Sequence, residues 1–151
     1  MKHSKLLATA FGVAVAGAIS FSAQAEEMMA TFEIVDGTIP QSLTGTPGDA
    51  DAGRKTAIDR KKGNCLACHV MPIPEQQFHG ETGPALDGIG DRLSEAELRM
   101  RMVDAKVINP DTMMPSFYKT GQHMVLKKFE GKTILSAQEV EDVVAYLLTL
   151  K

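Results

Sequence analysis

The stretch GNCLACHVMP, residues 63–72, decides the fold of this 151-residue chain. It contains both cysteines of the sequence, Cys65 and Cys68, and His69 follows the second directly. Three chemistries use two cysteines at this spacing: a redox dithiol, half of a zinc site, and covalent attachment of haem. The residues around the motif discriminate between the three.

The N-terminus predicts export. Lys2 and Lys5 precede an apolar run over residues 6–21, and Ala23-Gln24-Ala25 follows it. This order is typical of a secretory signal peptide over residues 1–25, so we expect a periplasmic mature chain without a membrane anchor. An uncleaved anchor is the alternative, but the apolar run is short and rich in Ala and Gly.

The charge of the chain argues against two classes of partner. The whole sequence has 16 basic and 19 acidic residues, and residues 1–25 include two lysines and no acid. The mature chain therefore has 14 basic against 19 acidic residues, a net charge of −5. An acidic protein of this kind has no electrostatic footprint for nucleic acid or for an anionic membrane. Its length of about 126 residues predicts one domain.

The three candidate chemistries differ in what else they require. Redox dithiols of the thioredoxin type lie at a strand-to-helix junction in an alternating βαβ chain, and no such alternation is present. A structural zinc site needs four ligands, and His79 and His123 stand at spacings of no common zinc finger. Haem attachment needs only two thiols one turn apart and an adjacent imidazole. We therefore predict one covalently bound haem c, with thioethers from Cys65 and Cys68 and with His69 as an axial ligand of the iron.

The second axial ligand is predicted in the loop NPDTMMPSFYK, residues 109–119. Pro110 and Pro115 restrict this loop, which lies about 45 residues after His69, far enough to reach the opposite face of a haem. A thioether directly before a proline in such a loop predicts Met114 as the ligand. The alternatives are Met71, Met100, Met102, Met113, Met124, His79 and His123.

Two segments carry the pattern of a capped helix. LSEAELRMRMV (93–103) and LSAQEVEDVVAYLLTLK (135–151) each place a serine three residues before a glutamate, which predicts a capping box at each start. DAGRKTAIDRKKG (51–63) predicts a weaker helix, whose small residues allow a second helix to cross it closely. The predicted domain, residues 49–151, is all-α.

Residues 26–48 are rich in Gly, Pro and Thr and predict an extended N-terminal arm, with one short strand around residues 31–35. An electron shuttle that works alone rarely needs such an arm. We therefore expect the arm to lie along a partner.

The motifs and the runs around them resemble a known family. CxxCH, Gly83-Pro84-x-Leu86 and a late Met-Pro loop are similar to class I cytochromes c. The longer runs at 33–50, 59–104 and 108–120 resemble the SoxX subunit of the SoxAX cytochrome.

The resemblance implies that the terminal helices cross and that loops wrap the haem. It also implies that the Pro84 carbonyl accepts a hydrogen bond from His69 and that Leu86 packs on the haem. One departure is Lys61, where many members have an aromatic residue at the helix crossing.

The family resemblance also implies a function. In SoxAX, the SoxA subunit holds the catalytic haem, and the heterodimer attaches thiosulfate oxidatively to a cysteine of the carrier SoxYZ. This chain has no third cysteine, so we expect it to accept electrons from SoxA and to pass them to a soluble cytochrome. It would then be the electron-transfer subunit of L-cysteine S-thiosulfotransferase, without catalysis of its own.

Two other functions remain open at this point. The first is a stand-alone periplasmic electron shuttle, which would have no permanent partner. The second is a ligand-sensing or catalytic haem protein, which requires an open distal position on the iron.

Overall fold

The structure, a computed structural model, describes residues 29–122 and 125–151. The signal peptide predicted over residues 1–25 lies outside these residues, as do the ligand candidates His123 and Met124. In the described part the helices are α1 (Ala50–Ile58), α2 (Ile89–Arg92), α3 (Glu95–Asp104) and α4 (Ala137–Thr149). Short 3-10 turns lie at Cys65–Ala67, Ala105–Val107 and Lys127–Phe129.

The two predicted capping boxes are confirmed. The Ser94 hydroxyl accepts from the backbone N–H of Glu97, and the Glu97 carboxylate accepts from the backbone N–H of Ser94. Ser136 and Glu139 make the same reciprocal pair at the start of α4. Each N-cap stabilises its helix by about 1 kcal/mol, because it satisfies a backbone donor that the helix leaves free.

The predicted crossing of the first and last helices is confirmed, with α1 packed on α4 at backbone contact distance. A Cβ atom at Gly53 would lie 1.9 Å from the carbonyl oxygen of Asp142, closer than any side chain allows. Lys61 takes no part in the crossing, because α1 ends at Ile58 and Lys61 is exposed beyond it. The crossing thus depends on a glycine and does not use the aromatic residue that many cytochromes c place there.

The described part of the predicted arm, residues 29–48, packs on its own domain. Ile39 is fully buried, and its backbone N–H donates to the carbonyl of Ala96 in α3 at 3.2 Å. The backbone N–H of Ala30 donates to the Tyr118 hydroxyl at 2.7 Å. The short strand predicted around residues 31–35 is wrong, since β pairing in the described residues is limited to an isolated bridge between Val35 and Thr38. Side-chain and backbone contacts to the helices hold this segment, and it needs no sheet.

The core is centred on the inward faces of α3 and α4, and residues from the segments around them complete it. Its largest fully buried apolar side chains belong to Ile39, Ile73, Met100, Val103, Leu135, Val140, Val143 and Val144. None of the helices in the described residues has the length and apolar character that a bilayer-spanning segment requires.

Candidate functional site

The two cysteines lie in and directly after the 3-10 turn Cys65–Ala67. The Cys65 carbonyl accepts from the backbone N–H of Cys68 at 3.1 Å and of His69 at 2.9 Å, which folds the motif into one compact turn. The two thiols are not bonded to each other, and Cys65 is half-buried whereas Cys68 is exposed.

The acidity of the Cys65 thiol argues against Cys65 as the nucleophile of a redox dithiol. Burial raises its pKa to about 11. Redox-active cysteines have a lowered pKa, because the thiolate is the nucleophile. Cys65 is therefore a neutral thiol near pH 7. In the residues that the structure describes, no three His, Cys, Asp or Glu side chains gather into a metal-binding cluster either.

The imidazole of His69 is oriented by Pro84. Nδ1 of His69 lies 2.7 Å from the Pro84 carbonyl oxygen, the contact that the family resemblance implied. A carbonyl can only accept a hydrogen bond, so Nδ1 carries a proton, and in the neutral ring Nε2 then keeps its lone pair. This is the tautomer that a metal-binding histidine requires.

Gly83 provides the space in which the imidazole lies. A Cβ atom at this position would come within 2.4 Å of Cε1 and 2.7 Å of Nδ1 of His69. The sequence analysis included Gly83 only as part of the GPxL motif and missed this packing role. The sequence feature that could have indicated it is the position of Gly83 directly before Pro84, because this position places the Gly83 backbone against the group that the Pro84 carbonyl binds.

A ladder of backbone hydrogen bonds holds the GPxL segment beside the cysteine motif. The N–H groups of Gly80, Gly83 and Leu86 donate to the carbonyls of residues 66, 68 and 70, at 2.7, 2.8 and 2.9 Å. Leu86 is half-buried and packs against the hydrophobic core. The Pro84 carbonyl is thus held in place by the chain on both sides of it.

The two methionines of the late loop differ in their surroundings. Met114 is half-buried against the core, whereas the side chain of Met113 is 81% exposed. Met71, Met100 and Met102 are buried core residues, with exposed fractions of 4% or less. Met114 is therefore the described methionine that is neither in solvent nor enclosed in the core.

The imidazole of His79 has different hydrogen-bond partners from that of His69. Its Nδ1 accepts from the backbone N–H of Met71 at 3.3 Å, and its buried Nε2 makes no hydrogen bond to any described residue. Because Nδ1 accepts, Nε2 carries the ring N–H, and this buried donor has no partner among the described residues.

Comparison with known proteins identifies the family. The family model described as "Cytochrome c" matches residues 50–151. The chain belongs to the cytochrome c family. Cytochromes of this family hold haem c covalently, and the donor set fits that cofactor: two unbridged thiols one turn apart, an imidazole with a free Nε2, and a half-buried thioether.

Two individual proteins resemble this cytochrome. The crystal structure of SoxXA from P. pantotrophus matches it with 42% sequence identity and a TM-score of 0.73, over 80% of this chain and 94% of that one. An uncharacterised lipoprotein of Aquifex aeolicus (strain VF5) is 32% identical over 89 residues, which are 58% of this chain and 36% of the relative. The cytochrome thus matches about a third of the length of that lipoprotein. The family match and the SoxXA likeness together support a SoxX-type cytochrome and confirm the predicted fold.

Proposed function

We propose that this chain is the mono-haem electron-transfer subunit of a SoxAX-type complex. The observation that carries the proposal is the 2.7 Å contact between His69 Nδ1 and the Pro84 carbonyl oxygen, which leaves Nε2 free beside two unbridged thiols. The 42% identity to a chain of SoxXA supports the choice of this complex among those that contain a cytochrome c.

The residues of the cysteine motif would hold one haem c, because the sequence contains one CxxCH. The sulfurs of Cys65 and Cys68 would form the two thioether bonds, and Nε2 of His69 would bind the iron. The Pro84 carbonyl would keep the proton on Nδ1, and Leu86 would pack on the ring. When bound, the haem supplies one-electron redox chemistry.

The Met114 thioether would fill the second axial position. An axial methionine raises the reduction potential relative to a second histidine. With both axial ligands supplied by this chain, no position is left for a substrate. The sequence also has no third cysteine that could carry a sulfur intermediate. These two features favour electron transfer over catalysis or ligand sensing.

Catalysis would then belong to a partner. We propose that a SoxA-type haem subunit forms a heterodimer with this chain, attaches thiosulfate to a cysteine of the SoxYZ carrier, and passes electrons to this chain. A soluble cytochrome would accept them. The chain would act in the periplasm after removal of residues 1–25, as the electron-transfer subunit of L-cysteine S-thiosulfotransferase.

A stand-alone shuttle is the second candidate, and one observation favours it. Residues 29–48 pack on their own domain, through Ile39 and Ala30 among others, so the arm by itself does not require a partner.

The native mass of the chain, purified from the periplasm of thiosulfate-grown cells of its own host, separates the two candidates. A heterodimer with a second haem subunit is the result we expect. A lone mono-haem protein would favour the shuttle.

The axial ligand is tested with a matched pair of variants. Met114→Leu should abolish the long-wavelength absorption band that a methionine sulfur gives with ferric haem iron, and it should open the iron to added imidazole. Met113→Leu should leave both properties unchanged, because this neighbouring side chain is exposed. The reverse pattern would assign the ligand to Met113, and no change in either variant would move it to another residue.

A further inference from the structure

Asp104 forms a buried anchor at the end of α3. Its side chain is 9% exposed, and its backbone leaves the helix with φ −155° and ψ 90°. Oδ1 accepts from the Ser116 hydroxyl at 2.6 Å and from the backbone N–H of Lys106 at 3.1 Å, and Oδ2 accepts from Lys119 Nζ at 2.7 Å. Charge-assisted hydrogen bonds of this kind are about twice as strong as neutral ones.

Two of these donors belong to the loop that carries Met114. Ser116 is two residues beyond Met114 and is 1% exposed, and Pro115 between them has a restricted backbone. The next residue, Phe117, donates from its backbone N–H to the carbonyl of Met102 in α3 at 3.0 Å. The carboxyl-terminal side of the loop is therefore fixed to α3.

The amino-terminal side of the loop has weaker anchors. The backbone N–H of Met114 donates to the Thr112 hydroxyl at 3.2 Å, and Lys106 Nζ donates to the Thr112 carbonyl at 2.7 Å. The first of these contacts spans two residues, and the second is exposed to solvent, where a hydrogen bond contributes little net stability. Phe117 and Tyr118 of this loop pack in the core, and Asp104 is the buried charged side chain that connects the loop to the end of α3.

We propose that Asp104 is a positioning residue for the Met114 thioether. It holds Ser116 and Lys119 against the end of α3, and this fixes the backbone from which the Met114 side chain extends. A thioether is a neutral ligand, so its retention on the iron depends on how firmly the loop presents it. The inference rests on the proposed function, in which Met114 is the second axial ligand.

The test is Asp104→Asn in the full-length haem-loaded protein. Asparagine has nearly the same shape, but it has no charge and only one acceptor oxygen, so it cannot bind Ser116, Lys106 and Lys119 as the carboxylate does. We expect the ferric variant to bind added imidazole at least about tenfold more tightly than the wild type, since imidazole competes with Met114 for the iron. Tenfold corresponds to about 1.4 kcal/mol. We also expect a weaker long-wavelength band from the methionine sulfur.

Asp142→Asn is the matched control. Asp142 is also a buried aspartate, and its Oδ1 accepts from the backbone N–H of Asp49 at 2.9 Å and from Gln138 Nε2 at 3.0 Å. It lies in α4 and makes none of the contacts that hold the Met114 loop. We expect its imidazole affinity and its absorption band to match those of the wild type.

Three outcomes would overturn the inference. Imidazole affinity of Asp104→Asn within about twofold of the wild type would show that the anchor does not position the ligand. An equal gain in Asp142→Asn would show a general loosening of the fold. Absence of the sulfur band in the wild type would remove Met114 as ligand, and the axial assignment in the proposed function would fail together with this inference. If Asp104→Asn does not fold, Ser116→Ala removes one donor and should change both readouts in the same direction by a smaller factor.

Discussion

Arg99 and Glu141 form a bidentate ion pair inside the protein. Nε of Arg99 lies 2.8 Å from Oε1 of Glu141, and Nη2 lies 2.9 Å from Oε2, with both side chains at most 3% exposed. Arg99 also donates to the Ile39 carbonyl at 2.9 Å, and Glu141 accepts from the backbone N–H of Leu43 at 2.8 Å. One pair of charges therefore connects α3, α4 and the segment before α1.

Glu141→Gln should destabilise the protein strongly. The substitution removes the buried partner of Arg99 and leaves it only the ion pair with the exposed Glu95. Breaking a buried pair costs about 3–5 kcal/mol, and the remaining pair with Glu95 should place the loss at the lower end of that range. The free energy of unfolding, measured by denaturant titration, reports the loss. Lys62→Ala is the control, because it removes the partly exposed pair that Lys62 forms with Glu139 and should cost less than about 1 kcal/mol. Equal losses in the two variants would contradict the role assigned to the buried pair.

Gly53→Ala should destabilise the protein although alanine is the better helix former. Helix propensity alone predicts a gain of about 1 kcal/mol. The new Cβ, however, would lie 1.9 Å from the Asp142 carbonyl oxygen, so α1 and α4 must separate. Denaturant unfolding should show a net loss of more than about 2 kcal/mol, the scale of an overpacked core.

Substitutions at Lys55 are the control, because they show the effect of helix propensity on the free energy of unfolding without a helix crossing. Lys55 is an exposed position in the same helix, and Lys55→Ala should be more stable than Lys55→Gly by about 1 kcal/mol. A stabilising Gly53→Ala would mean that the two helices tolerate a wider crossing than the structure shows.

Gly83→Ala should disturb His69, the proposed ligand of the haem iron. The added methyl group would come within 2.4 Å of Cε1 of His69, so the ring must turn away from the Pro84 carbonyl. We expect a changed reduction potential and a changed visible spectrum in the haem-loaded protein. Pro84→Ala is the comparison, because it keeps the accepting carbonyl and should change both properties less. A larger effect of Pro84→Ala would show that the stiffness of the proline matters more than the space at Gly83.

The stability that Asp104 contributes should depend on pH. Burial by itself raises the pKa of this carboxyl, but the hydrogen bonds from Lys119 and Ser116 outweigh burial and hold the pKa below its usual range. A lowered folded-state pKa contributes stability above the unfolded-state pKa of about 3.9, and this contribution is lost as the pH falls through the folded-state value. The difference in unfolding free energy between wild type and Asp104→Asn should therefore be larger near pH 7 than near pH 3. Equal differences at the two pH values would mean that the carboxylate charge contributes nothing.

Structural features that depend on residues close together in the sequence, or on recognisable motifs, were predictable. The capping boxes at Ser94 and Ser136 need residues only three apart, and the structure contains both. The contact of His69 with Pro84 spans 15 residues, and a recognisable motif marks each end. The resemblance to cytochromes c therefore indicated the fold, because that fold is built around these local motifs.

Features that join distant segments were not predictable. In the sequence Arg99 and Glu141 look like surface residues of two amphipathic helices, and only the packing of α3 on α4 buries them together. The composition of residues 29–48 does not show that Ile39 fits under α3, and the contact of this arm with a partner stays a prediction.

The sequence by itself determined which groups this protein can offer to a haem: two thiols, an imidazole and, as we propose, a methionine before a proline. The tertiary structure decided which of two adjacent methionines packs against the core and which buried carboxylate anchors their loop. The physical reason is that residue types set the chemistry of a site, whereas side-chain burial and long-range charge pairs exist only after the helices have packed.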